Sequence, residues 1–78
     1  MQVLKFGRRT HGTSKKGNEY DMCEVSDGFS SFTLSNADGI GKEIDNMSLS
    51  EGDEFQAEVH VSTSFGSLRG TIVAVDQV

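Results

Sequence analysis

The sequence contains no proline and no tryptophan, and it has one cysteine and one tyrosine among 78 residues. A single cysteine, Cys23, excludes an internal disulfide, and no Cys and His residues have the spacing of a zinc site. This composition suits a reducing compartment. We find no secretory segment at the N-terminus and no apolar run near the roughly 18 residues that a membrane span needs. We therefore expect a soluble, cytosolic protein without a membrane segment.

The length of the chain limits it to one small domain. A chain of 78 residues buries only about 60% of the surface that its unfolded form exposes, so its core is marginal. A core of this size supplies about 3–5 kcal/mol, and dimerisation is a common supplement. We expect a single domain over residues 1–78 that forms a homodimer.

The pattern of glycines and apolar residues favours short strands joined by turns. The predicted strands are residues 2–10, 18–26, 29–35, 55–61 and 68–76. The segment "SKKG", residues 14–17, is typical of a tight turn, and Asp27-Gly28 is a strong hairpin signal. In the fourth strand Phe, Ala and Val alternate with Gln, Glu and His, which predicts one buried and one exposed face.

The segment between the third and fourth strands, residues 36–54, is polar and interrupted by glycines. Ile40, Ile44 and Met47 have the i, i+4, i+7 spacing of a helix, which predicts one or two helical turns there. Five short strands with one longer crossing fit a small closed barrel. An OB-fold has that architecture, and an SH3-like barrel fits the strand count nearly as well. We predict an all-β protein and prefer a small five-stranded OB-fold barrel.

The apolar residues divide into a predicted core and one exception. The predicted core includes Cys23, as a small buried hydrophobe, and four aromatic residues: Phe6, Phe29, Phe32 and Phe55. The exception is Phe65, which is flanked by Ser, Thr and Gly in a predicted loop, residues 62–67. This setting favours an exposed role for Phe65, as a stacking platform or as a dimer contact.

Motifs of catalysis and of cofactor binding have no support in the sequence. His11 and His60 do not indicate a metal site, and we expect both on the surface. The segment "GSLRG" has leucine where a nucleophile elbow has its serine, and "GIGK" is far short of a phosphate-binding loop. We expect that the protein is not an enzyme and that it has no cofactor.

Charge is distributed unevenly along the chain. Residues 1–16 hold five basic residues and no acidic one, whereas residues 17–78 hold two basic and twelve acidic ones, for a net charge of −5. Such asymmetry indicates a local anion-binding surface on an otherwise acidic protein. Four of the basic residues lie on the first strand or at the following turn, and we predict that they contact phosphates: Arg8, Arg9, Lys15 and Lys16.

Tyr20 follows this basic turn directly. A base stacked on its ring would contribute about 1–3 kcal/mol, whichever base it is. The sequence is equally compatible with a half-buried strand tyrosine, because the pattern around Tyr20 does not decide the direction of its side chain. We predict that Tyr20 and Phe65 both stack on bases.

Two segments carry a family likeness. The first, "GTSKKGNEY" at residues 12–20, resembles the Gly-x-Ser-basic-x-Gly-x-x-Tyr hairpin of single-stranded DNA-binding proteins from filamentous phages, the gene V protein family. The second, "FGSL" at residues 65–68, resembles the tetrapeptide that ends the second functional loop of that family. Chain length and the order of strands also agree. The likeness is specific over about 13 residues and topological elsewhere.

The resemblance implies an OB-fold homodimer that coats single-stranded phage DNA cooperatively and without strong sequence preference, in the cytoplasm of a host bacterium. It implies that the first hairpin is a DNA-binding wing, with Lys15 and Tyr20 at the basic and aromatic positions of the family. It also places Phe65 in a loop that contacts nucleic acid near the dimer axis. Single-stranded RNA is a second partner that the same chemistry admits.

The sequence departs from the family pattern in several respects. The wing is several residues shorter after Tyr20, a further aromatic residue of the wing is replaced near Glu24, and Ile72 stands where the family has a basic residue. The chain is also more acidic than is usual for the family. A different reading of the chain is a small acidic β-barrel that binds protein and not nucleic acid. In that alternative the two turn lysines are ordinary solvated residues, and Phe65 is an interface anchor.

Overall fold

The computed structural model describes residues 1–64 and 66–78. The elements in this part of the chain are β1 (Gln2–Thr13), β2 (Glu19–Ser26), β3 (Ser31–Asn36), α1 (Ile40–Asn46), β4 (Glu54–Ser64) and β5 (Ser67–Asp76). The strands form a closed barrel in the order β1-β2-β3-β5-β4, with β3 and β5 parallel and the other neighbours antiparallel. This is a small OB-fold-like barrel, and it confirms the predicted fold class.

Both predicted turns form, and side-chain chemistry explains each. In the first turn the amide of Gly17 donates to the carbonyl of Ser14 at 2.9 Å, and Gly17 has φ 85, which a residue with a side chain rarely adopts. In the second turn the Asp27 carboxylate accepts hydrogen bonds from the amides of Phe29 and Ser30, both at 2.9 Å. These two turns set the register of β1, β2 and β3.

Strand β1 is longer than predicted because it pairs along two different neighbours. Its first part pairs with β4, where Leu4 lies opposite Phe55, and its second part pairs with β2 as far as Thr13. The register shifts at Gly7, where an added Cβ would lie 2.8 Å from the carbonyl oxygen of Glu24. A bulge of this kind bends a strand and allows it to serve both halves of a barrel.

The core lies inside the barrel and under the helix. It comprises Leu4, Cys23, Val25, Leu34, Ile40, Ile44, Phe55, Ala57 and Ile72. The predicted helical turns are confirmed by α1, whose Ile40 and Ile44 are buried while Met47 packs at the edge of the core. Cys23 is buried as predicted. Within the described residues, no helix is long and apolar enough to cross a membrane.

The predicted aromatic core is half right. Phe55 is buried and Phe6 packs against it edge to face, with ring centroids 6.3 Å apart. Phe29 is 97% exposed because it belongs to the turn before β3 and not to the strand, so its assignment to the core is wrong. Phe32 lies opposite Val25 but is also exposed, since it stands near the beginning of β3.

The β4–β5 hairpin extends further than the predicted loop at residues 62–67 allows. Strand β4 continues to Ser64 and β5 begins at Ser67. Strand β1 pairs with β4 no further than Ala57, so the rest of the hairpin extends beyond the closed wall. Val61 has the inward parity of Ala57, yet it is 67% exposed because the barrel does not enclose this part of the strand.

Phe55, which is buried, and Phe29, which is exposed, allow a test of this assignment of core and surface. We expect Phe55→Ala to lower the free energy of unfolding by about 3–5 kcal/mol, since it removes a fully buried ring. Phe29→Ala is the matched control, and it should change stability by no more than about 0.5 kcal/mol. Urea denaturation followed by far-UV circular dichroism measures both. Similar losses for the two variants would contradict this assignment of core and surface.

Candidate nucleic-acid interface

The β1–β2 hairpin presents the basic turn to solvent. The side-chain oxygen of Ser14 accepts a hydrogen bond from the amide of Asn18 at 3.2 Å, which closes the turn from within. Lys15 and Lys16 occupy the two positions between Ser14 and Gly17, and both are exposed. Their ammonium groups therefore extend from the tip of a hairpin whose backbone is well ordered by its own hydrogen bonds.

Three residue pairs between β1 and β2 lie on the outer face of the hairpin. Arg8 lies opposite Glu24, Thr10 opposite Met22, and Gly12 opposite Tyr20. Because partners in an antiparallel ladder share a face, these side chains form one continuous surface. From Arg8 to the end of β1 this surface is about 17 Å long, at about 3.4 Å per residue.

Arg8 is exposed on this surface and is paired with an acidic neighbour. Its Nε donates to the Glu24 carboxylate at 2.9 Å. An exposed pair of this kind is worth about 0–1 kcal/mol, so a phosphate can replace the carboxylate at little cost. The predicted role of Arg8 in contacting phosphates is therefore compatible with the structure.

Arg9 points to the opposite face, and the structure does not bring it into the predicted phosphate-binding set. Its side chain is 13% exposed, and its guanidinium holds the Asp21 carboxylate in a bidentate pair, with Nε–Oδ1 at 2.9 Å and Nη2–Oδ2 at 2.6 Å. The third nitrogen, Nη1, donates to Asp45 of α1 at 2.5 Å. Neighbouring residues of a strand face opposite sides, so Arg8 and Arg9 cannot share one role.

The Arg9 pair is the centre of a polar cluster that joins β1, β2, β3 and α1. The Asn36 side-chain amide donates to Asp21 at 2.8 Å, which adds β3 to the connected elements. Gly41 of α1 lies against this pair, where an added Cβ would overlap both the carboxylate and the guanidinium. Sequence reasoning missed the cluster, although polar residues at the inward positions of β1, β2 and β3 were a signal for it.

Protonation equilibria reflect the same contacts. The hydrogen bonds from Arg9 hold the pKa of Asp21 below its ordinary value against the opposing effect of burial, and the Asn36 amide adds to the lowering. The pKa of Arg9 is raised, first by its hydrogen bond to Asp21. Burial raises the pKa of the nearby Cys23 thiol.

Tyr20 lies close to the tip of the hairpin, one ladder pair away from the turn, with 41% of its surface exposed. It borders a groove of about 460 Å³ between the hairpin and the start of α1. The other residues that line this groove include His11, Thr13, Asn36 and Asp38. The open ring is compatible with the predicted stacking role, and the exposed position of His11 agrees with the prediction for it.

The remaining predicted site residue, Phe65, lies outside the described residues. Its neighbour Gly66 has φ 78, and the backbone of Ser64 pairs with Ser67 across the hairpin. The predicted role of Phe65 stays a prediction.

His60 is exposed, as predicted, and its Nε2 lies 3.6 Å from the carboxylate of Glu58. In residues 1–64 and 66–78, no group of three or more His, Cys, Asp or Glu side chains is placed to hold a metal ion.

The Arg9–Asp21 pair predicts acid-sensitive stability. In the unfolded chain Asp21 titrates near pH 3.9, whereas its pKa in the folded protein is lower. The stability that Asp21 contributes is therefore present above about pH 4 and is lost as the pH falls through the folded-state pKa. Asp21→Asn lacks this titration and should cost about 1–3 kcal/mol near neutral pH, because it weakens the pairing of Arg9.

Urea midpoints measured between about pH 7 and about pH 2 test this linkage. Both proteins should lose stability in acid, since other carboxylates such as Asp27 also have lowered pKa values. The wild-type curve should fall more steeply and approach that of Asp21→Asn at low pH. Parallel curves would show that the Asp21 carboxylate does not stabilise the fold.

Comparisons with known proteins add no further evidence on this surface. No family model, no curated protein and no solved structure matches the chain. The candidate interface therefore depends on the residues and the geometry of this chain alone.

Proposed function

We propose that this protein binds single-stranded DNA without strong sequence preference and coats phage genomic DNA cooperatively during replication, in the cytoplasm of a host bacterium. The observation that carries the proposal is the β1–β2 hairpin of an OB-fold-like barrel, with Lys15 and Lys16 exposed at its tip and the exposed ring of Tyr20 close to that tip. Basic groups that follow phosphates and aromatic rings that stack on bases are the two components of sequence-tolerant binding.

In the proposed complex the site residues have different roles. Lys15 and Lys16 contact phosphates and release counterions, and Arg8 joins them by exchanging Glu24 for a phosphate. Arg9 takes no part, because its guanidinium is engaged by Asp21 and Asp45. Phe65 stacks on a further base, as the sequence predicts. Single-stranded RNA offers the same phosphates and stacked bases, so we extend the proposal to it.

Dimerisation is part of the proposal, and the β4–β5 hairpin supports it. Val61 and Leu68 belong to the face of the hairpin that points into the barrel further along, and they are 67% and 75% exposed. Apolar side chains on a continued core face gain stability when a second surface covers them. A second copy of the chain is the partner we propose, since the small core leaves a stability deficit that a dimer offsets.

The alternative function is an acidic protein-interaction module without nucleic-acid binding. Two observations favour it: the net charge of −5, and the exposed Val61 and Leu68, which a different protein can cover as well as a second copy. The two functions differ in what the lysine turn does. In the alternative it is solvated and has no partner of opposite charge.

The main proposal predicts tighter binding of single-stranded DNA than of duplex. Tyr20 needs an unstacked base, which a duplex does not offer. Fluorescence anisotropy of labelled oligothymidine, against a duplex of equal length, measures the difference.

Replacing both Lys15 and Lys16 by alanine should weaken binding, and it should reduce the slope of log K against log salt by about 1.4, since each contact to a single strand contributes roughly 0.7.

The matched control for these lysines is the double variant Lys5→Ala/Lys42→Ala. It removes the same charge from exposed positions outside the hairpin turn, so it separates a local contact from a change in net charge. We expect its salt slope to stay near that of the wild type. An equal effect of the two double variants would refute the turn contact. No binding at low salt by the wild type would leave the protein-interaction module as the function.

The dimer proposal makes a separate prediction for the β4–β5 hairpin. Val61→Lys should shift the mass in solution from about twice 8.5 kDa toward that of one chain, because a charge on an apolar interface is costly to bury. His60→Lys, one residue away on the opposite face, is the control and should leave the dimer intact. Light scattering after gel filtration measures the mass. A monomeric wild type at micromolar concentration would contradict the homodimer.

A further inference from the structure

Gly12 and Tyr20 face each other across the β1–β2 ladder and touch. A Cβ added at Gly12 would lie 2.9 Å from the Oη of Tyr20, 3.2 Å from its Cζ and 3.5 Å from its Cε1. The separations from Oη and Cζ are shorter than ordinary contacts of a Cβ atom, whereas the separation from Cε1 is an ordinary van der Waals contact. The phenolic end of the ring therefore occupies the space in which any other residue at position 12 would place its side chain.

The backbone does not explain why position 12 is glycine. Five described glycines, Gly17 among them, have φ between 78 and 98, and none of these five has an atom near an added Cβ. Gly12 is different on both counts, since its φ lies outside the left-handed region and its Cβ position is filled. Within a strand, glycine weakens the local structure and often marks the close approach of another group. At Gly12 that group is the Tyr20 ring.

We infer that Gly12 is a positioning residue for the Tyr20 ring. Because Gly12 has no side chain, the ring can lie across β1 and form a stacking platform before any base binds. The inference rests on the proposed binding of single-stranded nucleic acid and names the residue that prepares the hairpin for it. A ring already held in place loses little rotamer freedom when a base stacks on it, and such preorganisation increases affinity. A side chain at position 12 would displace the ring and would leave its chemistry unchanged.

Gly12→Ala tests the inference, and the composition supplies a clean reporter. Tyr20 is the one tyrosine in the sequence and there is no tryptophan, so tyrosine fluorescence and most near-UV circular dichroism come from this ring. We expect the near-UV signal of the free protein to change while the far-UV spectrum is kept. We expect affinity for oligothymidine to fall about fivefold or more, the effect of losing about 1 kcal/mol of stacking.

The variant Tyr20→Phe provides a rescue test. It deletes Oη, the atom closest to the added Cβ, so Gly12→Ala should cost much less affinity in the Tyr20→Phe background than in the wild type. If Gly12 acted through strand propensity alone, the loss would be the same in both backgrounds. Equal effects of Gly12→Ala in the wild-type and Tyr20→Phe backgrounds would therefore overturn the inference. This holds whether the effect is a lower affinity or a failure of the protein to fold in both backgrounds.

Gly7→Ala is the control for the glycine itself. It makes the same chemical change in the same strand, and its Cβ would meet the backbone of Glu24 at 2.8 Å and not the tyrosine. We expect it to lower stability and to leave the near-UV signal of Tyr20 as in the wild type. A Gly12→Ala variant with unchanged near-UV signal and unchanged affinity would overturn the role of Gly12 while the proposed function stands. A wild-type protein that does not bind DNA would refute the proposed function. The near-UV signal of Gly12→Ala would still test whether Gly12 determines the position of the ring.

Discussion

The bidentate pair between Arg9 and Asp21 is the interaction on which the arrangement of the hairpin, the third strand and the helix depends. Arg9 comes from β1 and Asp21 from β2, and the same guanidinium reaches Asp45 on α1. Asn36 connects β3 to this group, and Gly41 lets the helix come close enough for all of these contacts. A largely buried guanidinium is costly to desolvate, so its carboxylate partners have to be in place for the fold to tolerate it.

This use of Arg9 changes the electrostatics of the outer surface. The first 16 residues carry five positive charges, but Arg9 is paired with Asp21 and Asp45, and Arg8 is paired with Glu24 on the surface. The positive charge that stays available on the hairpin is concentrated at Lys15 and Lys16. A ligand that binds here meets a small basic tip on an acidic protein, so it gains less from counterion release than it would from a broad basic groove. In the proposed complex, contacts that do not depend on charge, such as stacking on Tyr20, would then carry more of the affinity.

The fold was largely predictable because its local signals agree with each other. Turn residues mark both hairpins of the first three strands, and the helical spacing of Ile40 and Ile44 marks α1. The candidate site was less predictable. The basic turn and Tyr20 were readable from the hairpin segment, whereas the inward direction of Arg9 depended on a bulge at Gly7 that changes the parity of β1. Alternation alone does not reveal such a shift, because one extra residue exchanges the two faces of a strand.

By itself the sequence determined the five strands, the turns between the first three, the short helix and the exposed basic tip, because each of these follows from residues close together in the chain. Tertiary structure alone decided what the barrel encloses. Val61 carries the same apolar signal as Phe55 but is exposed. The reason is the closure of β1 on β4 and of β3 on β5, which joins residues far apart in the chain and covers only part of the β4–β5 hairpin. An apolar residue is buried when another element covers it, and that depends on pairing over long distances along the chain.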